Sequence, residues 1–248
     1  MKWWSNKIKN TFVSDSFSAS CLTATPENQA RERYQPLLKK TSHILFILVF
    51  MTLTSCMTMT KSIFGIQDAK PISDSTMADY AGHFKIPIQD NYTLDTTYAK
   101  FLFSFDTAQY KQQIKNHCQP LQALYFDKNG QLLKFYINCY AGGFPTLKWN
   151  RNGILNTFLP QDQAPVDSIL NLDKQVIFLK STDKSSLTDI YNYDYTVFIY
   201  WNQFMKRHSK HLIKEIRKNC GLADNKTVKI IYVNNDNFFA YFYKNNGW

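Results

Sequence analysis

The sequence predicts an α/β domain with a mixed sheet and flanking helices, on three observations. YTVFIYW, residues 195–201, is an almost unbroken apolar run, as a strand covered on both faces requires. An amphipathic helix follows, with Phe204, His208, Leu212, Ile213, Ile216 and Cys220 on one face and Gly221 as its stop. KIIYV, residues 229–233, reads as the next strand, so strand, helix and strand fall within about forty residues and predict a right-handed parallel βαβ unit. Earlier in the chain, two aromatic and β-branched runs (121–126 and 132–139) flank DKNG, where Asn129-Gly130 suits a hairpin turn at positive φ.

The remaining elements follow in chain order. Residues 1–55 read as a leader and signal peptide, 56–75 as a polar tether, and 76–248 as a single α/β domain. Met77, Tyr80, Ala81 and Phe84 fit a short amphipathic helix over 75–85. YAKFLFSF, 98–105, reads as a buried strand. Asp106 is placed to cap a helix carrying Tyr110, Ile114, His117 and Cys118, which Pro120 stops. Gly142, Gly143 and Pro145 open a loop, with a helical turn expected over 154–158. VIFL, 176–179, is a further expected strand.

Composition narrows the function. Aromatic residues make up 16% of the chain, which supplies a large core and excludes a disordered polymer. The net charge is +10, but residues 1–55 hold seven Lys/Arg against three Asp/Glu, so +4 lies there and +6 in the rest. The densest basic stretch, KRHSKHLIKEIRK (206–218), reads as the solvated face of a helix in preference to a nucleic-acid surface. No phosphate loop, nucleophile elbow or HExxH helix occurs in the sequence, and no cofactor is expected beyond a covalent lipid.

That lipid comes from the N-terminal region. Lys39 and Lys40 precede the apolar run 44–53, which is about half the length of a membrane span and matches a signal-peptide core. The run ends in Leu53, Thr54, Ser55 and Cys56. These four residues resemble the lipobox of bacterial lipoproteins. The resemblance implies that Cys56 is the lipid attachment site and that Leu53, Thr54 and Ser55 are read by the signal peptidase. It also implies a mature chain that begins at Cys56, held to the membrane by its acyl chains. In that family the basic residues usually lie close to the start of the chain, whereas about forty residues precede the run here. A start codon assigned too far upstream is the expected explanation. Met57 stands where an inner-membrane retention signal would place Asp, so the expected location is the outer membrane, facing the periplasm.

A second resemblance arises at YWNQFMKRHSKHL, 200–212, which is similar to the strand-exit segment of the thioredoxin family, F-W-A-x-W-C-x-x-C-K. Trp201 and Phe204 match its aromatic positions, and Met205 and His208 fall where the catalytic cysteines would be. The resemblance implies a thioredoxin-like scaffold without dithiol exchange, since a methionine has no proton to lose. It covers about forty-five of the residues, and a buried βαβ of any origin would share much of the pattern. GFPTLKWNRNG, 143–153, resembles that family's G-I-P-T-L segment but precedes the βαβ unit. A rearranged strand order would reconcile the two matches; coincidence is the expected reading.

Three cysteines follow Cys56 in the chain: Cys118, Cys139 and Cys220. An exported domain permits a bridge between Cys118 and Cys139, with buried free thiols as the favoured alternative. His208 and His211 have i,i+3 spacing, but the cations around them argue against a metal. Asn234 and Asp236, in VNNDN (233–237), would sit at the carboxyl end of a parallel strand, where ligands gather; turn chemistry explains them more economically. The expected function is therefore a membrane-anchored, non-catalytic envelope module that binds another envelope protein or a small ligand, and not nucleic acid. Its rivals are a thiol–disulfide oxidoreductase using the non-motif cysteines and a periplasmic ligand-binding module centred near Trp201 and Asp236.

Overall fold

A computed structural model describes residues 65–143, 147–166, 169–183 and 187–246. The signal segment, with Leu53, Thr54, Ser55 and Cys56, lies outside the described residues, as does most of the G-F-P-T match (144–146). Among the described residues, no helix is long and apolar enough to cross a membrane.

The fold is a mixed α/β sheet of six strands flanked by helices, in the order β3-β2-β5-β6-β1-β4. Its centre is the pair predicted from the C-terminal sequence. β5 (Tyr195–Trp201) and β6 (Val228–Asn234) are parallel, with Tyr200 beside Val233 and Trp201 beside Asn234. β5 is buried from Thr196 to its end, which is why its apolar run shows no alternation. The long helix between them spans Lys206–Cys220 and buries the expected face: His208, Leu212, Ile213, Ile216 and Cys220. Gly221 ends it at φ −68°, so this stop does not use glycine's left-handed freedom.

The hairpin forms as its turn residues dictate. β2 (Gln122–Asp127) and β3 (Leu132–Ile137) are antiparallel. Gly130 has φ +76°, and a Cβ there would lie 3.1 Å from Leu172 Cβ, so the position favours glycine twice over. β2 also pairs antiparallel with β5, which seats the hairpin at one side of the central pair. On the other side β1 (Asn91–Leu94) runs parallel to β6, and β4 (Leu179–Ser181) closes the edge antiparallel to β1.

The helices, in chain order, are α1 (Asp74–His83), α2 (Tyr98–Leu102), α3 (Lys111–His117), α4 (Asn138–Ala141), α5 (Leu172–Val176), α6 (Lys206–Cys220) and α7 (Asp236–Asn246). Two of them correct the sequence reading. The segment 98–105, expected as a strand, begins with α2. Asp95 Oδ1 accepts from the Thr97 backbone N–H and its hydroxyl, turning the chain into a helix whose buried face is Tyr98, Ala99 and Leu102. The strand expected over 176–179 starts only at Leu179, because the Asn171 side chain caps α5 and carries the helix through Val176. α3 begins at Lys111, with Asp106 capping the turn before it through Ala108 and Gln109. The helical turn expected over 154–158 lies slightly earlier, as a 3-10 turn at Arg151–Gly153.

Part of the segment read as a tether is packed against the domain. Ile66, Ala69 and Ile72 lie against the core. The Gln67 N–H donates to Phe204 O at 2.7 Å, and Ile72 exchanges hydrogen bonds with the Asn237 side chain. This strap leads into α1, whose N-cap is Ser73.

Candidate functional site

Parallel strands end in backbone groups that no neighbouring strand takes up, and the helices after them present free N–H groups. Here the carboxyl ends of β5 and β6 deliver Asn202, Asn234, Asn235 and Asp236 to one place, each with at most 2% of its surface exposed. Their partners are almost entirely one another and the adjoining backbone.

Asn202 is the hub. Its backbone N–H donates to Ser209 Oγ, whose hydroxyl donates back to the Asn202 carbonyl. Its side-chain oxygen accepts from the Met205 N–H at 2.9 Å, which closes the turn leading into α6. Its amide group donates to Asn235 Oδ1 and to Pro120 O, and Asn235 Nδ2 donates to the same Pro120 carbonyl at 2.9 Å. The chain entering β2 is thus tied to the chains leaving β5 and β6. Proline suits this position because it offers a carbonyl and no donor.

Asp236 completes the cluster. Its carboxylate accepts from the Gln203 N–H at 2.8 and 2.9 Å, from the Phe204 N–H at 3.4 Å and from Asn234 Nδ2 at 2.8 Å. Burial pushes this carboxyl above the ordinary carboxylate range, opposed by the donors from Asn234, Gln203 and Phe204. A carboxyl of the chain itself, accepting from the Gln203 and Phe204 N–H groups, thus already occupies the turn that opens α6, where the helix dipole would otherwise favour an external anion.

The strap and α1 lie over this edge. Gln203 Nε2 donates to Tyr80 OH at 3.2 Å, and Lys206 Nζ stands 4.8 Å from the Tyr80 ring centroid. The sequence placed Asn234 and Asp236 at a strand end correctly. It missed Asn202, Asn235 and Ser209, for which an asparagine at the exit of both strands was the available signal. Trp201 is fully buried, with its ring edge-on to Phe84 at 5.5 Å. Its Nε1 has no hydrogen-bond partner among the described residues.

Of the residues matched to the thioredoxin motif, Trp201 ends β5, Phe204 precedes α6, and Met205 and His208 lie at the start of that helix. Met205 occupies the N-cap position, Phe204 stacks edge-on against Phe239, and both are buried. His208 is also buried, whereas His211 is partly exposed and 3.8 Å from Glu215 Oε1. The two histidines point into different surroundings, and no group of three potential metal ligands occurs among the described residues.

Cys118, Cys139 and Cys220 are free thiols in this structure. Cys139 lies in α4, beyond the end of β3 where the sequence placed it, and its Sγ–H donates to Gln119 Oε1 at 2.9 Å. Burial pushes Cys118 and Cys220 up to about 12. Burial also raises Cys139, with Lys115 acting in the opposite sense. Cys118 and Cys220 are thereby held as thiols at neutral pH, the unreactive form, whereas Cys139 is exposed.

An open cleft of about 460 Å³ lies near the C-terminal end of α6, lined by Asn150, Leu155, Asn156, Glu215, Lys218 and Leu222. Its charged groups are a Glu215–Lys218 pair at 3.7 Å, and it contains no nucleophile with an adjacent base. No protein-family model, curated protein or solved structure matches this chain.

Proposed function

We propose that this protein is a lipid-anchored lipoprotein of the bacterial cell envelope, on the outer membrane facing the periplasm, whose α/β domain is a non-catalytic binding module for another envelope component. The observation that carries the reading is LTSC, 53–56, directly after a basic pair and a ten-residue apolar run. A thioredoxin-like scaffold is part of the proposal. It is supported by the parallel β5–α6–β6 unit and by the β2–β3 hairpin antiparallel to β5. In the thioredoxin family the hairpin follows the βαβ unit, whereas here it precedes it in the chain, so the scaffold would be a rearranged one.

The non-catalytic reading is supported by side-chain chemistry. Met205 and His208 hold the motif positions, and burial pushes the Cys118 and Cys220 thiols up to about 12. The polar edge at Asn202 and Asp236 has its donors and acceptors engaged within the chain, which favours a partner bound on the outer surface over a ligand at the strand ends. The anchor is tested by growth with labelled fatty acid. The parent chain is expected to take up label, and Cys56→Ser to take up none and accumulate as an uncleaved precursor. Equal labelling of the two would rule the anchor out.

A further inference from the structure

We infer that the outward face of α6 is a docking surface for anionic phospholipid headgroups, so that the domain lies along the membrane surface to which it is anchored. The inference rests on the lipoprotein reading for its geometry and on the helix itself for its chemistry.

α6 contains Lys206, Arg207, Lys210, Lys214, Arg217 and Lys218 against one acid, Glu215, which is six positive charges less one, or +5. Arg217 is turned inward, donating to Tyr232 OH, Phe84 O and Lys85 O. The other five cations are exposed. Lys206, Lys210, Lys214 and Lys218 repeat every fourth residue, which puts them on one ridge about 18 Å long. Like charges at this spacing weaken a helix, and a merely solvated face ordinarily mixes signs. Among the described residues, neither Lys210 nor Lys214 has an ion-pair partner. A sheet of anionic headgroups would supply the missing countercharge at Lys210 and Lys214.

The position of the chain's entry selects a membrane as the occupant. Gly65 lies against the first turn of α6, its Cβ direction 3.5 Å from the Arg207 guanidinium, and Gln67 is hydrogen-bonded to Phe204 O. From Cys56 to Gly65 the sequence spans nine residue steps, which reach about 30 Å at full extension. α6 is about 22 Å long. The proposed anchor therefore leaves the domain at the basic ridge, on a leash short enough to keep the whole helix near the bilayer.

The test uses the full chain carrying Cys56→Ser, which cannot be acylated whether or not the parent chain is. Its binding therefore does not depend on the outcome of the fatty-acid experiment. Every variant keeps residues 1–55, with their +4 charge and the apolar run 44–53, so the contribution of the ridge is read from the difference between variants. Vesicles of phosphatidylcholine, with and without phosphatidylglycerol, are sedimented with this protein. Binding is expected on the anionic vesicles, falling with added salt. Lys210→Gln with Lys214→Gln should weaken it about thirtyfold, and both substitutions suit an exposed helix. Lys128→Gln with Lys244→Gln removes the same charge from the hairpin turn and α7 and should leave binding intact. Equal binding to neutral and anionic vesicles would overturn the inference, as would equal loss in both double variants. Tighter binding to a DNA duplex than to anionic vesicles at the same salt would overturn it too, and would assign the ridge to nucleic acid.

Discussion

The carboxyl edge of β5 and β6 and the outer face of α6 are both crowded with polar side chains, and they are built on opposite plans. At the strand edge four buried residues, Asn202, Asn234, Asn235 and Asp236, share hydrogen bonds with each other, with Pro120 and with the turn that opens α6. On the helix, Lys206, Lys210, Lys214 and Lys218 stand in a row facing solvent. Buried polar groups with internal partners hold the fold together and call for nothing outside it. Exposed like charges on one ridge do the reverse. They weaken the helix that carries them, and what they offer is directed outward.

The sharpest way to break this contrast is Asp236→Ala. The N–H groups of Gln203 and Phe204 and the Asn234 amide would lose a buried acceptor together. The free energy of unfolding should fall by about 3 kcal/mol or more in urea titration. A loss below about 1 kcal/mol would put the cluster in the same energetic class as the surface and remove the distinction.

Asp95 tests an intermediate case, a charged group near the surface with partners on both sides. Lys180 and then Thr97 hold its carboxyl down to about 2. The sign follows from that depression. The contribution is fully present above the ordinary carboxylate value of about 4 and is lost as pH falls through about 2. Asp95→Asn should therefore cost about 1 kcal/mol at neutral pH. The difference from the parent chain should shrink as the solution is acidified across that window. A difference independent of pH would assign the effect to packing.

The smallest effect belongs to the ridge. Lys210→Gln with Lys214→Gln should change unfolding free energy by no more than about 0.5 kcal/mol, in the stabilising direction, since it relieves like-charge neighbours. A clear loss of stability would mean that these lysines hold the fold, and the two regions would then differ less than their burial suggests.

Legibility in the sequence followed burial. β5, α6 and β6 could be read because a strand covered on both faces and a strongly two-sided helix leave opposite signatures. The hairpin was legible from Asn129-Gly130. The stretch 98–105 was not, because a short aromatic run suits either state and the decision lay with Asp95 and Thr97 ahead of it. β1, with the sequence NYTL, carries little strand signal of its own and is fixed by pairing with the end of β6. At the candidate site the sequence supplied Asn234 and Asp236 but could not reveal that their acceptors and donors are spent within the chain. That depends on the N–H groups of Gln203 and Phe204, which meet the Asp236 carboxylate only in three dimensions.

The strand order also bears on how the sheet is assembled. β1 joins the centre through β6, residue 91 beside residue 232, and β2 joins it through β5, residue 122 beside residue 200. Until the last quarter of the chain exists, the early strands can form only the β2–β3 hairpin and the β1–β4 pair, and two-stranded pairs are marginal in water. The two central strands are thus made after the other four and inserted between partners already synthesised. Sheets closed by such distant pairings fold slowly, and a chain that folds slowly stays thread-like long enough to be moved through a narrow passage before it sets.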